Sequence, residues 1–551
     1  MAGRKTFTLA RAGLFVLLVS LVAVPALGGS ASNVDAKVLS QLSGTVVNRF
    51  YMANPDLAPA GSQGRYLAIK NSLSRFQGDG FDAPLGPPFG DRFNADPVGL
   101  PQNEESVTVC RGAANYLMGG TNDYRGLLDP QFNFTGWHYS NDAGDTLTNE
   151  GLLPPVTAST GEVLPSGGDP VNGCAIGEGG PNFYAASLNY DPFDPFGQKN
   201  AIGAYLTAPD ALESCGGGSD PACWPVRRAV AESEPGHFLD KEWMDVGDTG
   251  DGIHVWVTYS DFDIFAPCCF AQVKAVRCTA DLVNCSAPIT MSEGEDDIQF
   301  SDVTVGPDGR TYISWAQIFG EIEGTPQTFR IKMRVGAPGC ESLACFGPKR
   351  FVNDVSLAIP FGGRLQANDF RIATYPKNEV KIVNGIPRVF VVWDECDARI
   401  MDGTLCEFPK IKLKYSDNFG KNWSTVKVLS TGGVNYFPAI ANDVTNGELA
   451  VAYFTTRYDQ QYHSGQDIEM VTLNATTLTV TNRQRVTSDE DMPNFPEADP
   501  TLEDFIGDYI EVFAHGGTAW VHYNMNIRDV KFLGEGLPVG QQDNFLTRIG
   551  L

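Results

Sequence analysis

The sequence predicts an all-β protein, a β-propeller of six or seven blades behind a short helical N-terminal extension. Three observations carry that prediction. Short β-branched and aromatic segments recur after Gly, Asp or Asn turns along most of the chain. They start 67, 71, 57, 78, 60 and 70 residues apart. No helical pattern separates them. A unit of about four short strands cannot cover both faces of its own sheet, whereas a ring of such units buries each face against a neighbour. A string of β-sandwiches is the alternative, and would show linker breaks every ~100 residues. Seven units can be counted, or six if the first or last only closes the ring.

Residues 1–28 read as a secretory signal peptide. Arg4, Lys5 and Arg11 precede an apolar run from Leu14 to Val24, which ends in small residues around Ala26-Leu27-Gly28 or Gly29-Ser30-Ala31. That run is shorter than the ~20 residues a membrane span needs, which argues against an anchor. The expected localisation is secreted, with no membrane span. The 40 basic and 66 acidic side chains give −26, and loss of the three basic residues of the leader leaves −29. Such acidity excludes a general nucleic-acid binder, which must neutralise phosphates. It also argues against anionic polymers as ligands unless the binding surface is locally basic.

In the stretch 29–106, Val38, Leu39, Leu42, Val46 and Val47, then Leu67, Ile69, Leu73 and Phe76, fit helical spacing. A Gly/Pro-rich stretch from Gly78 to Pro101 follows. The expectation is one or two helices and a wrapping linker, with a removable propeptide as the alternative.

The propeller is expected over 107–551. Its recurring segments are Tyr116–Gly120, Phe183–Leu188, His254–Tyr259, Thr311–Ala316, Val389–Asp394, Leu449–Phe454 and Ala519–Asn524. A second strand-like run follows each: Gly136–Ser140, Ala201–Leu206, Val273–Cys278, Arg330–Arg334, Ile411–Ser416, Asp467–Thr472 and Asp529–Leu533. Hairpin turns such as Asn384-Gly385 and Gly516-Gly517 punctuate them.

All 12 cysteines fall after the leader, an even number suited to an oxidising compartment. Proximity predicts short clips: Cys215 with Cys223, Cys278 with Cys285, Cys340 with Cys345, and Cys396 with Cys406. Cys110 and Cys174 would join neighbouring units, leaving Cys268-Cys269 as a vicinal pair.

Two of the second runs end alike. Ser140, Asp142, Gly144, Thr146 and Leu147 fit S-x-D-x-G-x-T followed by a large apolar residue. Ser416, Asn418, Gly420 and Trp423 repeat the pattern with Asn in the Asp and Thr places. The physical logic is a turn clamp, in which a side-chain oxygen accepts turn amides and Gly takes positive φ. This resembles the Asp-box (BNR) repeat of the sialidase superfamily over about residues 97–551. The segments Leu100–Glu104, Asn122–Arg125, Leu239–Trp243 and Ile506–Tyr509 look like secreted bacterial members. The resemblance implies that the box is a folding element remote from the active face, and that Cys clips replace it in blades two to four.

On a propeller, the loops leading into each innermost strand and those after the second strand meet on one face. There the resemblance and the repeat place a polar funnel with Asp123, Tyr124, Asp169, Lys241, Glu242, Asp261, Asp369, Asp394, Tyr458 and Asp508. The sialidase resemblance would make Arg125, Arg371 and Arg457 carboxylate-binding forks, with Asp240 and Tyr509 as further catalytic candidates. Structural pairing of those arginines with neighbouring Asp is the alternative. No cofactor is expected, although the acidic loop Glu293–Asp297 could hold a structural Ca²⁺. The expected function is binding of an extracellular glycan or protein, and the alternative is an exo-glycosidase of sialidase type acting on acidic sugars. The sequence leaves the oligomeric state open.

Overall fold

In a computed structural model the described residues are 36–39, 41–76, 90–93, 100–193, 195–196, 199–265, 270–320, 327–359, 364–365, 370–400, 405–487, 505–530 and 539–551. The signal-peptide reading, Asp369 and the Cys268-Cys269 pair lie outside them. Among the described residues no helix is long and apolar enough to cross a membrane.

Among the described residues seven four-stranded antiparallel sheets form the ring, beside a three-stranded and a two-stranded sheet. Their innermost strands are Gln102–Val109, Ser166–Gly177, His237–Asp248, Ile298–Val305, Lys377–Val383, Asn435–Asn442 and Glu511–His515. Each innermost strand packs on the next, and the seventh packs on the first, so the ring closes. The segments singled out in the sequence are the second strands, and the runs after them are the third. Blade seven is the exception. Its second strand continues through Thr518–Val530, taking in Asp529, and its third is Val539–Gly550. A bulge between Met525 and Arg528 carries the pairing past the expected turn.

The outermost strand of blade seven is Gly90–Phe93, from the N-terminal side of the chain. The ring is thus closed by two distant segments of one chain, which protects an edge that would otherwise be bare. This strand and Gln102–Val109 both begin inside the stretch read as extension and linker.

All five described disulfides match the expected pairs: Cys110–Cys174, Cys215–Cys223, Cys278–Cys285, Cys340–Cys345 and Cys396–Cys406. The clips of blades two to four lie between third and fourth strands. The two Ser/Asp turns occupy the same place in blades one and five. Asp142 Oδ1 accepts from Thr146 N at 2.8 Å, and Gly144 N donates to Ser140 Oγ at 2.9 Å. In blade five Asn418 Oδ1 accepts from Asn422 N at 2.9 Å, and Gly420 N donates to Ser416 Oγ at 3.0 Å. Trp423 packs on the main core, whereas Leu147 is half-buried.

Carboxylates tie the blades around the axis. Asp245 accepts from Val305 N (2.6 Å), Asp302 from Asn378 N (2.5 Å), Glu379 from Asn442 N (3.2 Å) and Glu511 from Val107 N (2.7 Å). Each joins one blade to the next through a backbone donor that the sheet itself leaves unpaired. Burial raises their pKa values, to about 7 for Asp245, about 6 for Asp302 and about 8 for Glu511.

The N-terminal extension is helical, as expected, at Gly44–Ala53 and Gln63–Phe76. Leu42, Val46 and Phe50 are buried with Tyr190, Phe196 and Phe238 of blades two and three. Met52, Tyr66 and Ile69 are buried with Leu100, Tyr124, Phe134 and Phe505.

Candidate functional site

The site is built by a repeated irregularity. In five blades the innermost strand slips register near its start: between Asn103 and Ser106, Gly168 and Val171, Asp240 and Trp243, Gln299 and Asp302, and Tyr436 and Ala439. Within each slip one non-glycine residue takes positive φ: Glu104 (61°), Asp169 (55°), Lys241 (56°), Phe300 (57°) and Phe437 (49°). Such a conformation costs a non-glycine residue about 1 kcal/mol. A β-bulge re-aims the side chains beside it. Three of these positions bring Glu104, Asp169, Asp240, Lys241 and Glu242 into one buried cluster.

Asp508, from the segment leading into blade seven, is the hub of that cluster. It accepts from Lys241 Nζ at 3.3 Å and from Arg371 Nε at 3.2 Å, with a second bond from the Arg371 fork. Its own amide donates to Glu104 Oε1 at 3.1 Å. Glu104 Oε2 accepts from Asn122 Nδ2 at 2.6 Å, while Asn122 Oδ1 accepts from Asp169 N at 2.7 Å. Arg371 and Lys241 hold Asp508 below the usual carboxylate range despite its burial. Burial and the Asp508 charge push Glu104 up to about 7. Burial and the Glu104 charge raise Asp169 well above its ordinary value, so Glu104 and Asp169 titrate as a pair.

Beneath lies a cavity of about 40 Å³, lined by Glu242, Trp243, Phe300, Tyr375, Lys377 and Tyr509 among others. Its volume admits a water molecule. Both carboxylate oxygens of Glu242 are buried without a side-chain hydrogen-bond partner, and burial, with the Asp169 charge, holds that group well above the carboxylate range. Trp243 and Tyr509 meet edge to face at 5.3 Å, with the Lys377 ammonium over the Trp243 ring. Tyr509 donates its hydroxyl to Pro170 O at 3.0 Å, and burial raises its pKa strongly, so it stays a phenol.

The extension covers this cluster. Ser43 N donates to Asp240 Oδ2 at 2.6 Å, and Thr45 Oγ1 to Asp169 Oδ1 at 3.2 Å. Leu42 O accepts from Arg371 Nη1 at 2.6 Å. A Cβ at Gly44 would collide with the Phe505 ring.

Of the residues expected from the sequence, Asp169, Asp240, Lys241, Glu242, Arg371, Asp508 and Tyr509 come together at the axis. Asp123, Tyr124 and Arg125 lie further out in blade one, where Asp123 chelates Arg125 and the Tyr124 hydroxyl accepts from Asn48 at 3.4 Å. Arg457 and Tyr458 sit in blade six, both on Glu469 at 2.6 and 3.1 Å. The three arginines are therefore held by three different carboxylates, Asp123, Asp508 and Glu469. Asp261 pairs with Lys274 and His237 at 2.5 and 2.8 Å. Asp394 accepts from Phe437 N at 3.0 Å, so it ties blade five to blade six. Glu295 of the acidic loop is taken by Lys332 and Lys349, and among the described residues no group of carboxylate, His or Cys side chains is placed to hold a metal.

Glu104, Asn122, Trp243, Phe300 and Tyr375 belong to the site and were not singled out as candidates. Glu104 carried a signal, because three polar residues in Asn103-Glu104-Glu105 interrupt an otherwise strand-like run.

No family model matches the chain, and no curated protein matches it. Among solved structures it is similar to a protein of unknown function from Dyadobacter fermentans, with TM-score 0.41 and 13% identity over 82% of this chain and 95% of that one. It is also similar to an α-L-arabinofuranosidase from Fusarium graminearum, with TM-score 0.40 and 12% identity over 73% of this chain and 99% of that one. A third likeness is to the endosialidase of phage phi92, with TM-score 0.41 and 10% identity over 85% of this chain and 69% of that one. Likenesses this distant add nothing to the architecture already given by the sheet order.

Proposed function

We propose that this is a secreted β-propeller that binds an extracellular glycan at its axial site. One observation carries the reading: Asp169, Glu242, Lys241 and Asp508 line a small cavity walled by Trp243, Tyr375 and Tyr509, and Glu104 and Arg371 are bonded to Asp508 beside it. Saccharides are recognised by that combination, hydroxyls meeting charged hydrogen-bonding groups and ring faces meeting aromatic ones. The paired cysteines support export. Within this cluster the guanidinium of Arg371 is already neutralised by Asp508, which favours a neutral sugar over an acidic one.

A second reading, an exo-glycosidase, draws on the opposite shifts of Glu104, raised to about 7, and Asp508, lowered. Neighbouring carboxylates whose pKa values are driven apart are the ordinary basis of acid and base roles in glycoside hydrolysis. The test is an oligosaccharide array followed by calorimetry, with a fluorogenic sialoside and neutral aryl glycosides assayed for turnover. Binding of a neutral saccharide, lost in Trp243→Ala, is the expected result. Turnover abolished by Glu104→Gln would establish the second reading, and a protein ligand with no saccharide bound would sink both.

A further inference from the structure

We propose that residues 42–45 are a displaceable stand-in for the ligand, so that the folded chain is latent at its axial site. This rests on the reading that the site takes a neutral glycan.

The contacts are those of a sugar edge. One N–H and one hydroxyl face carboxylates, Ser43 N on Asp240 and Thr45 Oγ1 on Asp169, and one oxygen faces a cation, Leu42 O on Arg371. The segment carries no formal charge there, although its partners are two acids and a guanidinium. Close approach is secured by Gly44, where any side chain would strike Phe505. None of the described disulfides ties the extension to the ring, since the first cysteine is Cys110. Hydroxyls replacing an amide and a hydroxyl exchange one set of hydrogen bonds for another, so the cost of opening lies in re-exposing Leu42 and the apolar side chains next to it. Glu242 remains below, buried on the cavity wall, where a ligand that reaches deeper than the segment would meet it. Apparent affinity is then reduced by the fraction of molecules in which the segment is open.

Hydrogen exchange on the full chain tests the displaceable part without any ligand. The amides of the Gly44–Ala53 helix should exchange at least tenfold faster than Val107 and Val305, whose N–H groups are tied across blades. Ser43→Pro should raise that exchange further, because Ser43 has φ −57°, which suits proline, and the substitution removes its amide donor to Asp240 together with its hydroxyl contact with Thr45. The same variant should bind neutral oligosaccharides at least tenfold more tightly and sialosides no better. Thr45→Val serves the same purpose should Ser43→Pro not fold. A helix that exchanges only at the rate of the innermost strands overturns the proposal. So does a neutral saccharide that binds altered and unaltered protein equally. Fast opening with no saccharide bound by any form would leave the latch standing and remove the glycan reading.

Discussion

At the scale of single residues, burial decides how much each charge matters. Asp508 faces two cations in a dry site, and Asp508→Ala would remove the carboxylate that bonds both Lys241 and Arg371, leaving them only the charges of Glu104 and Asp240 nearby. The expected loss is about 3–5 kcal/mol in urea unfolding. Asp354→Ala also removes a close pair, with Arg330 at 2.7 Å, but both side chains there are exposed, and the expected change is below about 1 kcal/mol. Equal effects from the two would contradict the burial argument. Asp142→Ala removes three bonds, to Thr146 N, Thr146 Oγ1 and Ser140 Oγ, and should cost about 1–2 kcal/mol while leaving saccharide binding unaltered. That turn was legible in the sequence because its bonds span at most four residues. The positive-φ residues Glu104 and Lys241 were not, because a bulge exists only relative to the strand paired with it. Trp243 illustrates the same limit: its segment stood out by resemblance, but its place on the cavity wall follows only from the slip between Asp240 and Trp243.

Elements were legible where their information is local. The second and third strands announce themselves through apolar alternation, and short clips through cysteine proximity. The closing strand Gly90–Phe93 does not, since only its pairing with Val539–Gly550, at the other end of the chain, makes it a strand. Helical spacing in the extension was visible, but not its target, because contacts such as Ser43 with Asp240 span 197 positions. Loop closure also ranks the disulfides. Cys110–Cys174 closes 64 residues and joins two blades, whereas Cys340–Cys345 closes five within one turn. Chain-entropy reasoning gives about 4 kcal/mol for the first and about 2 kcal/mol for the second. Paired Cys→Ala variants followed by thermal unfolding should preserve that order, and the reverse order would show that the link between blades one and two is not what the bond secures.

For the whole molecule, the ring of buried carboxylates sets how stability responds to pH. Glu104, Asp245 and Asp394 are pushed up to about 7 and Glu511 to about 8, burial being the first cause for each. A carboxyl group with a raised folded pKa holds its proton more tightly in the native chain than in the unfolded one. Its stabilising contribution is complete below the ordinary carboxylate pKa and is lost as pH climbs through the folded value. His138 and His522, depressed to about 3 by burial, act in the opposite sense: they cost stability as pH falls from their ordinary 6.5 towards 3, and change little above it. Between pH 6.5 and 8 the carboxylates therefore act without opposition from those histidines, and Tm should fall steadily across that interval. Glu511→Gln keeps an oxygen for Val107 N but removes the titration, so its Tm should fall less over the same range. The contrast separates the buried ring from the general repulsion of a chain at −26, which both proteins share almost equally. A wild-type Tm that is flat or rising from pH 6.5 to 8, or a Glu511→Gln slope as steep as that of the wild type, would mean that these inter-blade carboxylates are ionised in the native ring and do not set its pH response.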